Sequence, residues 1–468
     1  MVRADSRASP WFENPLVALA AVALAGLFLI GKMRLHMPTS VCLALLCALV
    51  FFCLSFRRPV WAIAALIVIQ VAASGYMLYP TSGSGISVNL LWVLATILLM
   101  IPIIAQSGLS LGSKSRGVII PAIVFLAIAT IANVLNTDIA QAFQYIRWSF
   151  TALAIIILLP TMVRREKDLK LVGTIALITC SISAIAAVIQ YMHPSSINWA
   201  RPGGLSGSPI QLAASLSVLL IPAISLLILR ATSPWVRRLL ILAVFIMGVG
   251  LILTFTRSGL YSLAVAIPAL ALLLSGKTRY QLLLVTLICV VVFISYSFLH
   301  GGRLSEVSDT SALTRPVLWE AGVDVALDHP LFGIGEYRFP EVSATYASRI
   351  DPRLMEDQGA GTVLGQLMPH NDFIMVWASF GTPALIAFIW LLVSIFRNFI
   401  YSHRHAKSPF IKSLAVGCAC AVLAYVVNMS FHNILDSVFI LWVLGGLSIV
   451  CANLALHESS STPEKPRC

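Results

Sequence analysis

One histidine and three arginines lie at the ends of long apolar runs, where they could bind and act on an anionic substrate: His370, Arg201, Arg257 and Arg315. A guanidinium forms paired hydrogen bonds with phosphate oxygens, and three such cations suit a diphosphate. An imidazole with an ordinary pKa of about 6.5 can accept a proton from a hydroxyl at neutral pH. The set therefore suits the transfer of a group from a lipid diphosphate to a hydroxyl, with the arginines stabilising charge on the departing phosphate.

Each of these residues also has a purely structural interpretation. Arg201 stands in a loop rich in glycine, serine and proline, which favours exposed backbone N–H groups that attract an anion, but its side chain could instead extend to lipid headgroups. Arg257, in a very short turn, needs an anionic partner that is either lipid phosphate or substrate. Arg315 could pair with a nearby carboxylate such as Glu320, and His370 could cap the next helix.

Three further residues are candidates for supporting roles. Glu320 could orient an arginine or the histidine, Asn371 follows the histidine directly, and His432 stands at another turn on the same predicted side. No HExxH, DxD or Walker A motif accompanies them. We therefore expect a reaction without metal, nucleotide or other cofactor.

The composition places these residues in a membrane protein. Of 468 residues, 59% are hydrophobic and 11% are charged, whereas a soluble domain carries about 25% charged residues. Lys and Arg number 31 against 19 Asp and Glu, a net charge of +12. In a membrane protein this excess is typical of basic cytoplasmic loops, so we do not expect nucleic acid as a partner.

The apolar runs predict an all-α polytopic membrane protein with about 12–14 transmembrane helices. The candidate spans are 15–31, 37–56, 59–79, 86–106, 117–134, 143–163, 169–192, 210–230, 236–256, 258–275, 280–299, 371–396, 409–429 and 435–455. Basic residues cluster in alternate connections, which the positive-inside rule assigns to the cytoplasm. The candidate histidine and arginines then fall on the external side.

A long polar segment, residues 300–370, interrupts the apolar pattern. Thr314-Arg315-Pro316 is typical of a helix start, and Asp328-His329-Pro330 is typical of a helix end. We therefore expect a helical external cap over the bundle. The predicted division of the chain is a transmembrane bundle, the cap, C-terminal transmembrane helices and a disordered cytoplasmic tail, at 1–299, 300–370, 371–456 and 457–468.

Four segments, taken in order, resemble the sequence pattern of the O-antigen ligase and polymerase superfamily. They are Arg201–Ala214 (RPGGLSGSPIQLAA), Thr254–Gly259 (TFTRSG), Arg315–Phe339 (RPVLWEAGVDVALDHPLFGIGEYRF) and His370–Gly381 (HNDFIMVWASFG). The resemblance implies a GT-C-type membrane glycosyltransferase of the bacterial inner membrane, metal-independent and inverting, that works on the periplasmic side. One departure is Ile210, which stands where relatives often carry a polar residue.

The resemblance also implies roles for the four residues. Arg201 and Arg257 match loop arginines assigned to diphosphate binding, Arg315 matches the arginine that opens the loop helix, and His370 matches the proposed base. Ligases of this superfamily move O-antigen glycan from undecaprenyl diphosphate to lipid A-core oligosaccharide, which makes those two lipids the expected partners. An O-antigen polymerase or a protein O-oligosaccharyltransferase would share the chemistry and differ in the acceptor.

A flippase or transporter of lipid-linked oligosaccharide is the alternative from another class. Transporters place polar residues and broken helices near the bilayer midplane. Here the polar residues concentrate at one predicted face and in one loop, which favours the glycosyltransferase.

Overall fold

The computed structural model describes residues 60–72, 97, 111–193, 201–277, 279–284, 286–287, 310–350, 368–435 and 439–460. Throughout these ranges the regular structure is helical. The α-helices are α1 (Val60–Ala72), α2 (Arg116–Asn136), α3 (Ile139–Met162), α4 (Glu166–Met192), α5 (Pro209–Ile228), α6 (Pro234–Leu253), α7 (Arg257–Leu273), α8 (Thr310–Asp328), α9 (Phe339–Ile350), α10 (Asp372–Phe380), α11 (Thr382–His405), α12 (Pro409–Met429) and α13 (Ile440–Ser460). Short 3-10 turns precede α5 and α9, at Gly204–Ser206 and Glu336–Arg338.

Eight of the described helices are long and apolar enough to cross a membrane: α2 to α6 and α11 to α13. Helix α7 is also apolar but shorter, at 17 residues. The prediction of an all-α polytopic membrane protein is therefore confirmed. The predicted spans 15–31 and 37–56 lie outside the described residues, as do nearly all of 86–106 and most of 280–299, and 59–79 is described only as α1.

Helix α12 lies at the centre of the bundle, packed against α5, α7, α11 and α13. Its sequence alternates small residues with larger ones, which allows neighbouring helices to approach closely. A Cβ atom at Gly417 would lie 2.5 Å from the Cα of Pro222 in α5. Large side chains such as Tyr425 are fully buried on the same helix, so α12 fixes the positions of the helix ends around it.

The predicted span 371–396 is wrong, because a break at Gly381 divides it into α10 and α11. Gly381 has a φ of 85°, and the N–H of Thr382 donates to the carbonyl of Pro330, 2.7 Å away, in the turn after α8. The N–H of Ile334 likewise donates to the carbonyl of Ala378 (3.1 Å). The hydropathy is continuous across the break, so only the glycine and the following Pro383 mark it in the sequence.

The cap and the C-terminus also differ from the prediction. Helix α8 is already helical at Thr310, so Arg315 does not open it and Pro316 lies inside it, although the predicted end at Asp328 is confirmed. Helix α13 continues to Ser460, which makes residues 457–460 helical rather than disordered. Oε2 of Glu458 accepts the backbone N–H groups at the start of α12, which explains why the helix extends this far.

Gly381→Ala should lower the stability of the protein. The positive φ costs an L-residue about 1–3 kcal/mol, and a Cβ atom there would lie 2.3 Å from the carbonyl oxygen of Leu331. The matched control is Gly248→Ala, since a Cβ at Gly248 meets no atom within 4 Å. Thermal unfolding of the detergent-purified protein should show a lower Tm for the first variant only. Equal Tm values would argue against the break at Gly381.

Candidate active site

Arg201 lies at one end of the bundle, where it is held against the turn that joins α6 to α7. Its Nε donates a hydrogen bond to the carbonyl oxygen of Thr254 (3.0 Å), and its Nη2 donates one to Oγ1 of Thr256 (2.6 Å). The same turn ends at Arg257, the first residue of α7. The structure therefore brings Arg201 and Arg257 to the same turn from separate elements.

The glycine-containing loop after Arg201 is fixed by α4 and does not present all its amides to an anion. Oε1 of Gln190 accepts the N–H groups of Gly203 (3.2 Å) and Gly204 (2.9 Å), and its Nε2 donates to the carbonyl of Gly204 (2.9 Å). Oγ of Ser183 accepts the N–H of Leu205 (3.1 Å). The prediction that these amides bind an anion is wrong for these three residues, because side chains of α4 already occupy them.

Glycine is required in this loop for close packing. Gly204 has a φ of 58°, and a Cβ atom on it would lie 2.5 Å from the carbonyl oxygen of Ser183. A Cβ atom on Gly203 would lie 2.5 Å from the backbone of Gly207. The glycine pair therefore allows the loop to fold tightly against α4, which places Arg201 beside the turn before α7.

A buried chain of polar side chains fixes the start of α7. Oγ of Ser258 donates to Oδ1 of Asn428 in α12 (3.1 Å), and Nδ2 of Asn428 donates to Oγ of Ser217 in α5 (3.0 Å). All three residues are at most 2% exposed. Because buried hydrogen bonds of this kind are costly to leave unmade, they hold the start of α7 against the middle of α5 and the end of α12.

His370 stands immediately before α10 in a strained conformation, with a φ of 48°. Residues other than glycine adopt such angles at a cost, and they cluster at functional sites. The neighbouring Asn371, and not His370, caps the helix: its Oδ1 accepts the N–H groups of Phe373 (2.9 Å) and Ile374 (3.3 Å). The alternative that His370 is simply a helix cap is therefore wrong, and Asn371 has a structural role.

The cap helix α8 is joined directly to the His370 segment. Nε1 of Trp319 donates to the carbonyl of Pro369, at 2.6 Å. Arg315, one turn earlier on α8, is half-buried and lies near enough for its charge to act on His370. Burial and this guanidinium together lower the pKa of His370 below its usual value, because both disfavour the protonated imidazole. A neutral His370 at pH 7 follows.

His432, in the turn after α12, lies beside His370. The two ring centroids are 6.4 Å apart, with the ring planes at 79°. Burial is the main factor that lowers the pKa of His432, to about 3, and the charges of Arg315, His370 and Arg201 contribute. Arg201 and Arg315, which are more than 100 residues apart in the chain, therefore both act on the imidazole of His432. With so low a pKa, His432 is a poor base but a good neutral hydrogen-bonding group.

A buried carboxylate brings the two histidine-bearing segments together. Asp372 is 2% exposed, and its Oδ2 accepts the backbone N–H groups of Ile434 and Leu435, each at 3.0 Å. Its Oδ1 accepts a longer hydrogen bond from Nδ2 of Asn433 (3.4 Å). Three bonds from the turn after α12 therefore converge on one side chain, two residues beyond His370.

The structure thus brings Arg201, Arg315, His370 and His432 into one cluster, with Arg257 connected to it through the shared turn. Glu320, by contrast, is exposed on α8 and forms no hydrogen bond or ion pair with these residues within the described ranges. The predicted orienting role of Glu320 has no support in this geometry.

Two residues that position the site were not found from the sequence. The sequence position of Asp372 is informative, because an acid at the start of an apolar run is costly unless its carboxylate accepts hydrogen bonds. Gln190 is an amide near the end of an apolar run, which is a weaker signal of the same kind. Their partners are backbone amides from distant segments, and no residue type marks those in a sequence.

Neutral imidazoles surrounded by guanidinium groups can bind an anionic group and accept a proton from a hydroxyl next to it. Within the described ranges, no group of three or more His, Cys, Asp or Glu side chains is arranged to hold a metal ion. The expectation of a metal-free reaction stays a prediction.

Residues 242–389 match the family described as O-antigen ligase. The matched region includes Arg257, Arg315 and His370, while Arg201 and His432 lie outside it. No curated protein matches the chain significantly. The geometry above therefore connects the matched region with two flanking segments.

Arg315→Gln should raise the pKa of His370, because a nearby positive charge disfavours the protonated imidazole and the substitution removes it. The rate at which diethyl pyrocarbonate modifies His370, followed by peptide mass spectrometry against pH, should therefore show its midpoint at higher pH. The exposed Arg338 supplies a control, since Arg338→Gln should leave the midpoint in place. An unchanged midpoint in Arg315→Gln would show that the charge of Arg315 does not act on His370.

Proposed function

We propose that this protein belongs to the O-antigen ligase superfamily and is an inverting, metal-independent glycosyltransferase of the bacterial inner membrane, with its site on the periplasmic side. The donor is O-antigen glycan on undecaprenyl diphosphate, and the acceptor is a hydroxyl of lipid A-core oligosaccharide. The observation that carries the proposal is the meeting of Arg201, Arg315, His370 and His432 at one end of the bundle, where both guanidinium groups act on His432 and Arg315 also acts on His370.

The arginines bind the diphosphate of the donor. Arg201 is fixed by its bonds to the turn at Thr254 and Thr256, so little side-chain freedom is lost when an anion binds. Arg257 follows that turn, and Arg315 approaches from the cap. Guanidinium groups held in place before the reaction stabilise the charge that grows on the leaving diphosphate without reorganisation, which lowers the barrier.

His370 acts as the general base. Its lowered pKa keeps the imidazole neutral, so it can take the proton of the acceptor hydroxyl as the oxygen attacks the anomeric carbon. The new bond joins that oxygen to the anomeric carbon, and the bond from this carbon to the diphosphate oxygen breaks on the opposite face. Undecaprenyl diphosphate leaves with the bonding electrons, and the proton on His370 passes to solvent.

A polymerase or a protein O-oligosaccharyltransferase would use the same donor site with another acceptor. A flippase would have no need of a base beside its anion site. The neutral imidazole of His370 beside Arg315 supplies such a base, and it favours catalysis over transport.

The proposal is tested with a glycan-transfer assay that contains the purified full chain, undecaprenyl-diphosphate glycan, lipid A-core and EDTA. Glycan-modified lipid A-core supports the ligase. Elongation of the lipid-linked glycan in place of that product would assign a polymerase. Absence of both, together with movement of the intact donor between leaflets of a vesicle, would assign a flippase.

His370→Ala should lower the transfer rate by about 10²–10⁴-fold, the usual contribution of a general base. Donor affinity should change little, because the arginines remain. His329→Ala is the matched control, since His329 is an exposed histidine just after α8 and its loss should leave the rate unchanged. Wild-type activity in His370→Ala together with loss of activity in His432→Ala would contradict this assignment and identify His432 as the general base.

A further inference from the structure

A cavity of about 690 Å³ lies inside the bundle and extends from the end opposite to His370. Helices α4, α5, α12 and α13 form most of its wall, and α1 and the start of α6 complete it. The wall is predominantly apolar, with side chains such as Leu177, Val218 and Leu414. It shares no residue with the candidate active site.

The cavity is long in the direction of the membrane normal. Along α4 it is lined from Glu166 at the helix start to Cys180, a distance of roughly 21 Å at the rise of an α-helix. Leu169, Gly173 and Cys180 on this stretch share one helix face, at the spacing expected for a single wall. A long apolar channel of this kind suits a hydrocarbon chain better than a compact polar molecule.

The end of the cavity at the start of α4 is polar and basic. Lys170 and Arg230 both line it, and Lys170 lies 2.6 Å from a carboxylate oxygen of Glu166 and 5.0 Å from the ring centre of Phe410. Oγ1 of Thr232, also at this end, is buried and forms no hydrogen bond with the described residues.

The surroundings add further positive charge. The ends of α4 and α6 nearest the cavity carry five more cations, against one further acid, Asp168: Arg164, Arg165, Lys167, Arg237 and Arg238. Basic pockets between transmembrane helices on the cytoplasmic side bind anionic lipid headgroups. The positive-inside pattern assigns this end of the bundle to that side.

We propose that the cavity binds one anionic phospholipid, with an acyl chain in the apolar channel and the phosphate at Lys170 and Arg230. The hydroxyl of Thr232 donates a hydrogen bond to the bound headgroup. Because the headgroup sits at the end opposite to His370, this lipid is neither the glycan donor nor the acceptor. The site is therefore independent of the proposed transfer reaction.

Gly173 gives a direct way to block the channel. It lines the cavity, and a Cβ atom built on it meets no atom within 4 Å, so the side chain of Gly173→Leu starts from open space and extends into the channel. Gly248→Leu is the matched control, because Gly248 is also helical, also has open space at its Cβ, and does not line the cavity.

The experiment is a titration of the purified full chain with phosphatidylglycerol, with bound lipid counted by native mass spectrometry and phosphatidylcholine as the neutral comparison. We expect one phosphatidylglycerol per wild-type chain, none on Gly173→Leu and one on Gly248→Leu. The double variant Lys170→Gln/Arg230→Gln should bind roughly tenfold to thirtyfold more weakly, at the usual contribution of a cation near the membrane surface. Its control, Lys167→Gln/Arg238→Gln, removes two nearby cations that do not line the cavity and should weaken binding much less than the first pair does.

Two results would overturn the proposal. Undiminished phosphatidylglycerol on Gly173→Leu would show that the lipid lies elsewhere on the protein. Equal binding of phosphatidylcholine and phosphatidylglycerol, with no effect of the Lys170→Gln/Arg230→Gln pair, would show that the headgroup is not recognised as an anion. The charge variants lie at the surface and need no change of packing, so they remain informative if Gly173→Leu fails to fold.

Discussion

The carboxylate of Asp372 is the constraint on which the candidate site depends. It accepts hydrogen bonds from the backbone N–H groups of Ile434 and Leu435, and it is almost fully buried. A buried carboxylate costs several kcal/mol unless it is satisfied, so the turn after α12 must stay where it supplies these donors. That requirement holds His432 against His370 and sets the end of α12 relative to the start of α10.

The break at Gly381, at the other end of α10, also helps to position the site. Because the helix stops there, the turn after α8 can donate backbone hydrogen bonds to the exposed carbonyls of Ala378 and Ser379. This contact docks the cap on the membrane helices, and the bond from Trp319 to the carbonyl of Pro369 docks it a second time beside His370. The cap helix that carries Arg315 is therefore attached at both ends of α10, once at its start and once at its end. This arrangement is more rigid than a free loop would be.

The membrane class could be predicted from the sequence because its signal is local, and the same kind of signal makes Arg201, Arg257, Arg315 and His370 candidates whose roles stay predictions. Apolar length predicts spans such as α12, and a cation or histidine beside an apolar run is conspicuous because it is costly there. The helix break at Gly381 could not be predicted, since the hydropathy continues across it and its cause is the turn after α8, about 50 residues earlier in the chain. The partner of Gly203 and Gly204 could not be predicted for the same reason: a glycine pair indicates a tightly packed backbone, but not whether its partner is an anion or, as here, the amide of Gln190.

The electrostatics of the site also bear on how a base with a lowered pKa can work. Burial and the guanidinium of Arg315 keep His370 neutral, which allows it to accept a proton but weakens it as a base. On the proposed function, a bound diphosphate brings negative charge to Arg315 and offsets the effect of this guanidinium on the imidazole. The pKa of His370 then rises when the donor is present, because protonation is favoured beside the new anion. Donor binding and base strength are therefore coupled through the arginines, and the histidine becomes a stronger proton acceptor when the reaction needs one.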